Sequence, residues 1–555
     1  MSRLFVLFSI LASTGLAQTG LLDILGQELD RNFQVLSRKG DPPAYYIAYA
    51  VTDEEASAVT STLGTITSQD KRHSRRLDVT VRVGSPKLDN YHAIRGEMAQ
   101  FTSGMLIALD DSPDAIKLRL WSETDRCYRL GVQRLISIKT NKDVSVADRE
   151  ASDDFSSDQP SKFTEAVPAL RFDSDAWAAR LRKLSARFAK YPSIISSSVS
   201  VVAEREIKYF ANTEGARISH GQQFSRVAFS AQGKASDGMD LATFDSFNTS
   251  DPARLPKDPE IESGIDKVAK DLNKLLDAPL VAPFVGPAIL SGRAAGVFFH
   301  EIFGHRVEGH RLKDESDGQT FAKSIGAQVL PDFISVTFDP TLRQAAGSDL
   351  NGFYQYDDEG IKARRLPLVE KGILKTFLMS RTPVPGIAIS NGHGRRQAGA
   401  EVVSRQSNLL VEPSRQVPEA KLKEMLIAEV KRLNKPYGFY FQEITGGFTN
   451  TGRRGIQAFK VIPLVVYRIY PDGKEELVRG ADIVGTPLAS FSKIIAAGDK
   501  AEVFNGYCGA ESGSVPVSAV SPSILVSELE IQKKESSRDR PPLLAPPTAS
   551  IGGSK

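Results

Sequence analysis

The residues best suited to chemistry lie in one short segment of this 555-residue chain. Residues 296–310 read GVFFHEIFGHRVEGH and contain three of the seven histidines. His300, Glu301 and His305 form a His-Glu-x-x-x-His pattern. Imidazole nitrogens are common zinc ligands, and a carboxylate beside them can act as a general base. The segment therefore predicts a metal site, although a buried histidine pair with a satisfied Glu would give the same pattern.

The spacing of the two histidines is one residue longer than in the zinc-protease helix. In a His-Glu-x-x-His helix, positions i and i+4 place both imidazoles on one face. Positions i and i+5 lie about 140° apart on a regular α-helix. We therefore expect the helix to distort or end between His300 and His305, with Gly304 supplying the freedom through a π-bulge or a loosened last turn. The apolar residues around the histidines predict that this helix is buried; they are Val297, Phe298, Phe299, Ile302 and Phe303.

Two residues compete to be the third metal ligand. His310 stands ten residues after His300, as in the metzincin pattern, but that pattern needs His and Gly where this chain has Gly304 and Val307. Cys508 lies in the sequence Asn-Gly-Tyr-Cys-Gly. Its thiolate is a strong zinc ligand, and the flanking glycines suit a turn close to a metal. A lone Cys is also commonly a free thiol, so residue types alone leave both candidates open.

Composition excludes several classes of protein. Hydrophobic residues make up 41% and charged residues 25%, which excludes a wholly disordered or fibrous chain. There are 70 Lys and Arg against 67 Asp and Glu, so we expect no nucleic-acid partner. The only cysteines are Cys127 and Cys508, which excludes a disulfide-rich scaffold and a Cys-x-x-Cys zinc finger. We interpret Cys127 as an ordinary core or surface residue.

The first residues have the pattern of a secretory signal peptide. Residues 1–17 read MSRLFVLFSILASTGLA, with one Arg, a short apolar run and small residues before Gln18. An uncleaved anchor or a buried helix is the alternative. No later window holds the roughly 18 apolar residues that a spanning helix needs, so we expect no integral membrane span. The mature chain is predicted to be exported, to the periplasm or outside the cell.

Hydrophobic periodicity predicts a mixture of helices and strands along the chain. The predicted helices are 21–36, one starting at Ser112-Pro113, one capped at Ser174-Asp175, 258–276 and 421–433. The predicted strands are 44–51, 57–66, 77–83, those within 196–229, and a hairpin of 461–470 with 475–478 around Gly473. Residues 278–287 contain three prolines and are a plausible domain linker. The charged and Pro/Ser/Gly-rich end, 533–555, is predicted to be disordered.

Several of these segments together resemble the TldD/PmbA metalloprotease family. The resemblance covers 286–531 well and is weak before 259. Its motifs are His300-Glu301-x-x-Gly304-His305-x-x-Glu308-Gly309, Asn505 to Gly509, Ser514 to Val517, Asn391 to Arg396, and Gly446-Gly447. It implies an α+β fold, with an N-terminal α/β domain (18–277) and a mostly β C-terminal domain (278–532) that carries the metal-site helix.

The resemblance also implies an activity and its residues. It implies a zinc peptidase, with His300, His305 and Cys508 on Zn²⁺ and Glu301 as the general base that takes the proton of a zinc-activated water. Glu308, Glu315 and Asp317 are possible partners of the ligand imidazoles, or else part of an exposed polar loop. The substrate implied is a peptide or an unfolded protein.

The family further implies dimers that enclose a cavity, either a homodimer or a heterodimer with a metal-free PmbA-like paralogue. A non-catalytic partner or scaffold subunit of the same fold is therefore the alternative function. The chain departs from the family pattern in two places. His310 stands where the family more often has Asp, and the signal peptide contrasts with the cytoplasmic location of better-known members.

Overall fold

The computed structural model describes residues 20–94, 98–140, 152–313, 317, 319–452, 459–485 and 487–534. The predicted signal peptide and residues 535–555 of the predicted tail lie outside the described residues. Helices and two large sheets make up the described chain, as expected for an α+β protein. The helices are α1 Leu21–Lys39, α2 Pro113–Thr140, α3 Ser174–Ser185, α4 Asp258–Asp277, α5 Gly292–Ile302, α6 Glu419–Arg432 and α7 Pro487–Ser492.

The first sheet has eight strands in the order β3-β2-β1-β6-β7-β5, with β4 beside β2 and β8 beside β7. Its pairs are antiparallel except β5 with β7. The strands are β1 Ala44–Thr62, β2 Thr65–Ser85, β3 Leu88–Asp89, β4 Met105–Leu106, β5 Lys162–Thr164, β6 Ser196–Asn212, β7 Arg217–Lys234 and β8 Asp240–Thr249.

Where we predicted three short strands over 44–83, the structure has one long hairpin of β1 and β2. The hairpin turns at Leu63 and Gly64, both of which have positive φ (44° and 84°). The acidic run that separated the predicted strands continues β1, because Asp53 accepts hydrogen bonds from Arg75 Nε (2.6 Å) and lies 2.7 Å from His73 Nε2 on the neighbouring strand. Cross-strand pairing therefore compensates these charges inside the sheet.

The helices before residue 280 cover this sheet in two cores. One core joins α1 and α2 to β1 and β2 and contains Cys127, which is buried as an ordinary core residue. The other joins α3 and α4 to the strands β6 and β7. The predicted helix starts are confirmed, with one shift. The cap of α3 is Asp173 instead of Ser174, because its carboxylate accepts hydrogen bonds from the backbone N–H groups of Asp175 (3.1 Å) and Ala176 (2.9 Å).

The second sheet has eleven strands in the order β14-β13-β10-β17-β23-β21-β19-β18-β9, with β20 beside β19 and β22 beside β23. Two further two-stranded sheets pair β11 with β12 and β15 with β16. The strands are β9 Phe284–Leu290, β10 Ile334–Phe338, β11 Gln344–Ala345, β12 Ser348–Asp349, β13 Leu366–Glu370, β14 Ile373–Leu374, β15 Gly394–Arg395, β16 Val403–Ser404, β17 Asn408–Pro413, β18 Gly438–Thr449, β19 Phe459–Ile469, β20 Glu475–Val478, β21 Ala481–Gly485, β22 Ile494–Ala510 and β23 Gly513–Lys533.

The two sheets divide the chain near the predicted linker. The first sheet ends at Thr249 and the second begins at Phe284, so the last residues of the predicted linker belong to β9. The boundary between 277 and 278 stays a prediction. The hairpin around Gly473 is confirmed, since β19 and β20 pair antiparallel and Gly473 has φ 87°. Within the described residues, no helix is both long enough and apolar enough to cross a membrane.

Helix α5 is the element that carries the predicted metal site. It packs against β18, β22 and β23 within the core of the second sheet. Phe298, Phe299 and Phe303 are fully buried there, and each ring contacts the ring of Phe491. The predicted burial of this helix is confirmed, and the packing leaves its end little room to move.

Candidate metal centre

The end of α5 resolves the five-residue spacing of the two histidines. The helix starts at a Ser291 cap, whose hydroxyl accepts a hydrogen bond from Ala294 N (3.2 Å), and it ends at Ile302. Gly304–Val307 then form a tighter 3-10 turn. His300 lies in the last α-helical turn and His305 in the 3-10 turn, with ring centroids 5.2 Å apart. Of the two possibilities predicted, the structure shows that the helix ends between the histidines. It does not contain a π-bulge there.

Cys508 reaches the histidines from the distant strand β22. Its Sγ lies 3.3 Å from His305 Nε2. One ligand atom from each of the three residues lies within 4.8 Å of the others, and all three side chains are buried. The structure therefore brings Cys508 into the group predicted as metal ligands.

His310 lies outside this group. Its Nε2 is 3.5 Å from Glu511 Oε2, in the turn between β22 and β23. The expectation that Cys508 stands in a turn was wrong. Cys508 pairs with Val515 in the regular β22–β23 ladder, and the turn follows it, with Gly513 at φ 78°.

The charges in the cluster suit a cation. Burial raises the pKa of the Cys508 thiol, but His305 and His300 beside it lower that pKa by more than burial raises it. The pKa of Cys508 is therefore well below its ordinary value. Burial lowers the pKa of His305, yet Cys508 and Glu308 raise it well above its ordinary value. The pocket thus favours a thiolate that is compensated by positive charge next to it.

Glu308 orients His305. It is fully buried, and its Oε2 lies 3.2 Å from His305 Nδ1 and accepts hydrogen bonds from Arg311 at 2.9 and 3.1 Å. Burial raises the pKa of Glu308, but His305 and Arg311 lower it more, so the carboxyl stays ionised. An ionised carboxylate only accepts hydrogen bonds, so Nδ1 carries the proton and Nε2 is directed at Cys508.

The other two predicted partners of the imidazoles have different places. Asp317 accepts a hydrogen bond from Arg311 Nη1 at 2.8 Å. Glu315 lies outside the described residues. The exposed-loop interpretation is therefore wrong for Glu308, which is fully buried, while Asp317 contacts the arginine that donates to Glu308.

Glu301 lies beside the cluster. Its Oε2 is 4.0 Å from His305 Nε2, and the residue is 9% exposed. Its side chain packs on the backbone of β18, where a Cβ on Gly447 would come within 2.8 Å of Glu301 Cγ. Gly447 therefore permits the close approach of this strand to the carboxylate.

Sequence reasoning missed Gln406. Its Nε2 donates a hydrogen bond to the backbone oxygen of His300 (3.2 Å), and a Cβ on Gly304 would come within 1.9 Å of its Oε1. Gly304 is thus required for the approach of Gln406, in addition to any freedom it gives the helix end. No local pattern indicates this contact, because the two residues lie a hundred positions apart.

The histidine in the Asn391–Arg396 stretch plays no part in the cluster. His393 is fully buried, and its ring nitrogens lie 3.1 Å from Asn391 Oδ1 and 3.2 Å from Ser407 Oγ. Burial, with Arg395 nearby, lowers the pKa of His393 to about 3. It is a neutral, satisfied core residue.

A buried His–His–Cys group thus lies next to a carboxylate, at the end of a core helix on a large β-sheet, where it could hold a metal ion. Residues 285–533 match the family model described as PmbA/TldA metallopeptidase C-terminal domain. Over these residues the chain is similar to the TldD/PmbA family.

Curated relatives carry matching names. A protein named metalloprotease from Methanothermobacter thermautotrophicus is 26% identical over 412 residues, which cover 73% of this chain and 84% of that protein. A protein named zinc metalloprotease TldD homolog from Saccharolobus solfataricus is 26% identical over 247 residues, covering 44% of this chain and 51% of that one. The match therefore spans about half the length of the second relative.

A solved structure shares the fold over nearly the whole chain. TldE from Thermococcus kodakarensis superposes with a TM-score of 0.61 at 14% identity, covering 91% of this chain and 99% of that one. At this identity the likeness establishes the fold alone. The expected α+β architecture, with its β-rich C-terminal part, is confirmed.

Proposed function

We propose that this protein is a zinc-dependent peptidase that hydrolyses peptide bonds of unfolded or flexible peptides. The observation that carries the proposal is the convergence of His300, His305 and Cys508, with Glu301 beside them. The names of the curated relatives as metalloproteases support the reaction class.

The donor set suits zinc. Two imidazoles and one thiolate match the nitrogen and sulfur ligands that Zn²⁺ prefers, and three protein ligands are typical of catalytic zinc sites. His300, His305 and Cys508 would hold the ion, and Glu308 keeps His305 in the required tautomer. When bound, zinc acts as a Lewis acid that lowers the pKa of water and polarises a carbonyl.

Glu301 is the residue to move protons. Its carboxylate is close to the cluster but is not one of its three members, so it is free to accept a proton from the attacking water. It then returns that proton to the leaving amine of the cleaved peptide. The close packing of Glu301 on Gly447 holds the carboxylate in place for both transfers.

The free edge of β22 offers a place for an extended substrate. Among the named strands of the described chain, β22 pairs only with β23, and apart from one isolated bridge of Gly498 with Val417 its other edge has no strand beside it. Tyr507 stands opposite Pro516, which has no N–H and so cannot donate a hydrogen bond to the Tyr507 carbonyl oxygen. A peptide can add to such an edge through main-chain hydrogen bonds, with little selection for side chains.

A cleft accompanies this edge. It has a volume of about 880 Å³ and is lined by residues 501–505 of β22 together with parts of β7 and β8. Arg226 of β7 donates a hydrogen bond to the backbone oxygen of Asn505 across it (2.9 Å). The cleft thus runs along the strand that carries Cys508, and an unfolded chain has free backbone groups that could enter it.

The assembly and location are also proposals. A homodimer or a heterodimer with a PmbA-like paralogue is supported by the shared fold with TldE. Export to the periplasm or outside the cell is supported by the pattern of residues 1–17.

Peptide hydrolysis by the purified protein tests the proposed function. We expect one test protein to be cut in its unfolded form and to survive in its folded form, with cutting stopped by a chelator and restored by Zn²⁺. Glu301→Gln should still bind zinc but lose turnover by about 10²–10⁴, because the amide cannot accept the proton. Equal cleavage of both forms would contradict a substrate that must be extended. A metal-free, inactive protein would instead support the scaffold alternative.

A further inference from the structure

We propose that Arg405 is the positioning residue that sets the distance between the two arms of the metal site, His305 at the helix end and Cys508 on β22. The inference rests on the proposed function, since it concerns how the same site is held. Arg405 lies in the segment between β16 and β17, about a hundred residues from either arm.

One side of the Arg405 guanidinium contacts the support of His305. Its Nε lies 3.4 Å from Glu308 Oε1, and both residues are completely buried. The other oxygen of the same carboxylate lies 3.2 Å from His305 Nδ1. One buried carboxylate, that of Glu308, therefore connects Arg405 with the imidazole.

The other side of the guanidinium contacts the backbone of Cys508. Nη2 donates a hydrogen bond to the Cys508 carbonyl oxygen (2.5 Å). Nη1 donates to Ser512 Oγ and to the Gly513 oxygen, both at 2.9 Å, in the turn that follows β22. Because the guanidinium is planar and rigid, these contacts and the contact with Glu308 cannot vary independently.

The neighbouring arginine does not duplicate this role. Arg311 also joins Glu308 to the β22–β23 turn, where it donates to Glu511 at 2.8 and 3.1 Å. Arg311 donates to the Glu511 side chain in the turn, whereas Arg405 donates to the backbone oxygen of Cys508, which is a proposed ligand. The adjacent Gln406 donates to the backbone oxygen of His300. Residues 405 and 406 together therefore contact the backbone of two proposed ligands, His300 and Cys508, and the carboxylate that orients the third, His305.

The substitution Arg405→Lys distinguishes the positioning role of the guanidinium from the effect of its positive charge. Lysine keeps the buried positive charge that Glu308 requires, but its single ammonium group cannot reproduce the three directions of the guanidinium. A matched control is Arg381, which is equally buried and donates to Glu214 with both terminal nitrogens at 2.7 Å, away from the metal site. Arg381→Lys carries the same chemical change at a site without a ligand.

Binding of Co²⁺ and Zn²⁺ to the full-length protein tests the proposal without any measurement of activity. We expect Arg405→Lys to bind Zn²⁺ about 10–100-fold more weakly than the wild type, in competition with a chromophoric chelator. The thiolate-to-Co²⁺ charge-transfer absorption of its cobalt form should shift or weaken. Arg381→Lys should lose thermal stability but keep the wild-type affinity and spectrum.

Equal affinity and spectra for the wild type and Arg405→Lys would overturn the proposal. If Arg405→Lys does not fold, Ser512→Ala removes one Arg405 acceptor and should weaken Zn²⁺ binding in the same direction by a smaller factor; unchanged binding would overturn the proposal. A wild type without a thiolate–Co²⁺ band, indistinguishable from Cys508→Ser, would overturn the metal site itself and this inference with it.

Discussion

At the scale of single residues, the site depends on contacts between residues far apart in the chain. His300, Glu301, His305 and Cys508 were predictable because their chemical types suit zinc hydrolysis and because the resemblance assigned their roles. Gln406 was not predictable, since its role follows from a contact with Gly304 that exists only in the folded chain.

Gly304→Ala tests this contact. A glycine-to-alanine change in a free helical turn stabilises by about 1 kcal/mol. Here we expect destabilisation of about 1–3 kcal/mol, because the new Cβ forces the buried Gln406 side chain out of its hydrogen bond with His300. Chemical denaturation of the single variants and of Gly304→Ala/Gln406→Ala should show that the second change recovers part of the loss. A more stable Gly304→Ala protein would contradict the account.

At the scale of elements, hydrophobic periodicity predicted most helices because their apolar faces repeat over many residues. It failed where a local feature was compensated by a distant partner. The predicted strands stop at residue 51 and resume at residue 57, yet β1 continues through the acidic residues between them, because β2 supplies Arg75 and His73 to pair with Asp53. The glycines around Cys508 were read as a turn, yet they lie in β22, whose ladder with β23 extends over them. Strand pairing is a long-range property that no local window contains.

At the scale of the whole molecule, ion pairs join the part of the chain that forms the first sheet to the part that follows β9. Arg381 donates to Glu214 at 2.7 Å, and Lys208 donates to Asp358 Oδ1 at 2.7 Å. His220, also buried, lies near Lys208. Since His220 is buried, its protonation is coupled to folding.

The pH dependence of stability should reveal this coupling at His220. Burial, with a further contribution from Lys208, lowers the pKa of His220 from 6.5 to about 4. Between these values the unfolded chain takes up a proton that the folded chain does not. The free energy of unfolding should therefore fall as the pH falls from 6.5 to about 4, by up to about 1.4 kcal/mol per pH unit for this group.

The comparison with His220→Gln isolates that group. Urea unfolding of both proteins should be measured at several pH values between 6.5 and 4. The free energy of unfolding should fall less steeply with falling pH in the variant, and the difference in slope should approach the value for one proton, about 1.4 kcal/mol per pH unit. The two dependences should run parallel above pH 7, where His220 is neutral in both states. Identical slopes below pH 6 would show that His220 takes up a proton within the folded protein.

X-ray absorption at the zinc edge of the purified protein tests the central claim most directly. We predict one sulfur and two histidine nitrogens among the zinc ligands, because Cys508, His300 and His305 are the donors that converge. The sulfur should disappear in Cys508→Ser, although Cys127 is still present, and His310→Ala should leave the ligand set unchanged. A wild-type zinc site without sulfur, or a sulfur that persists in Cys508→Ser, would contradict the account.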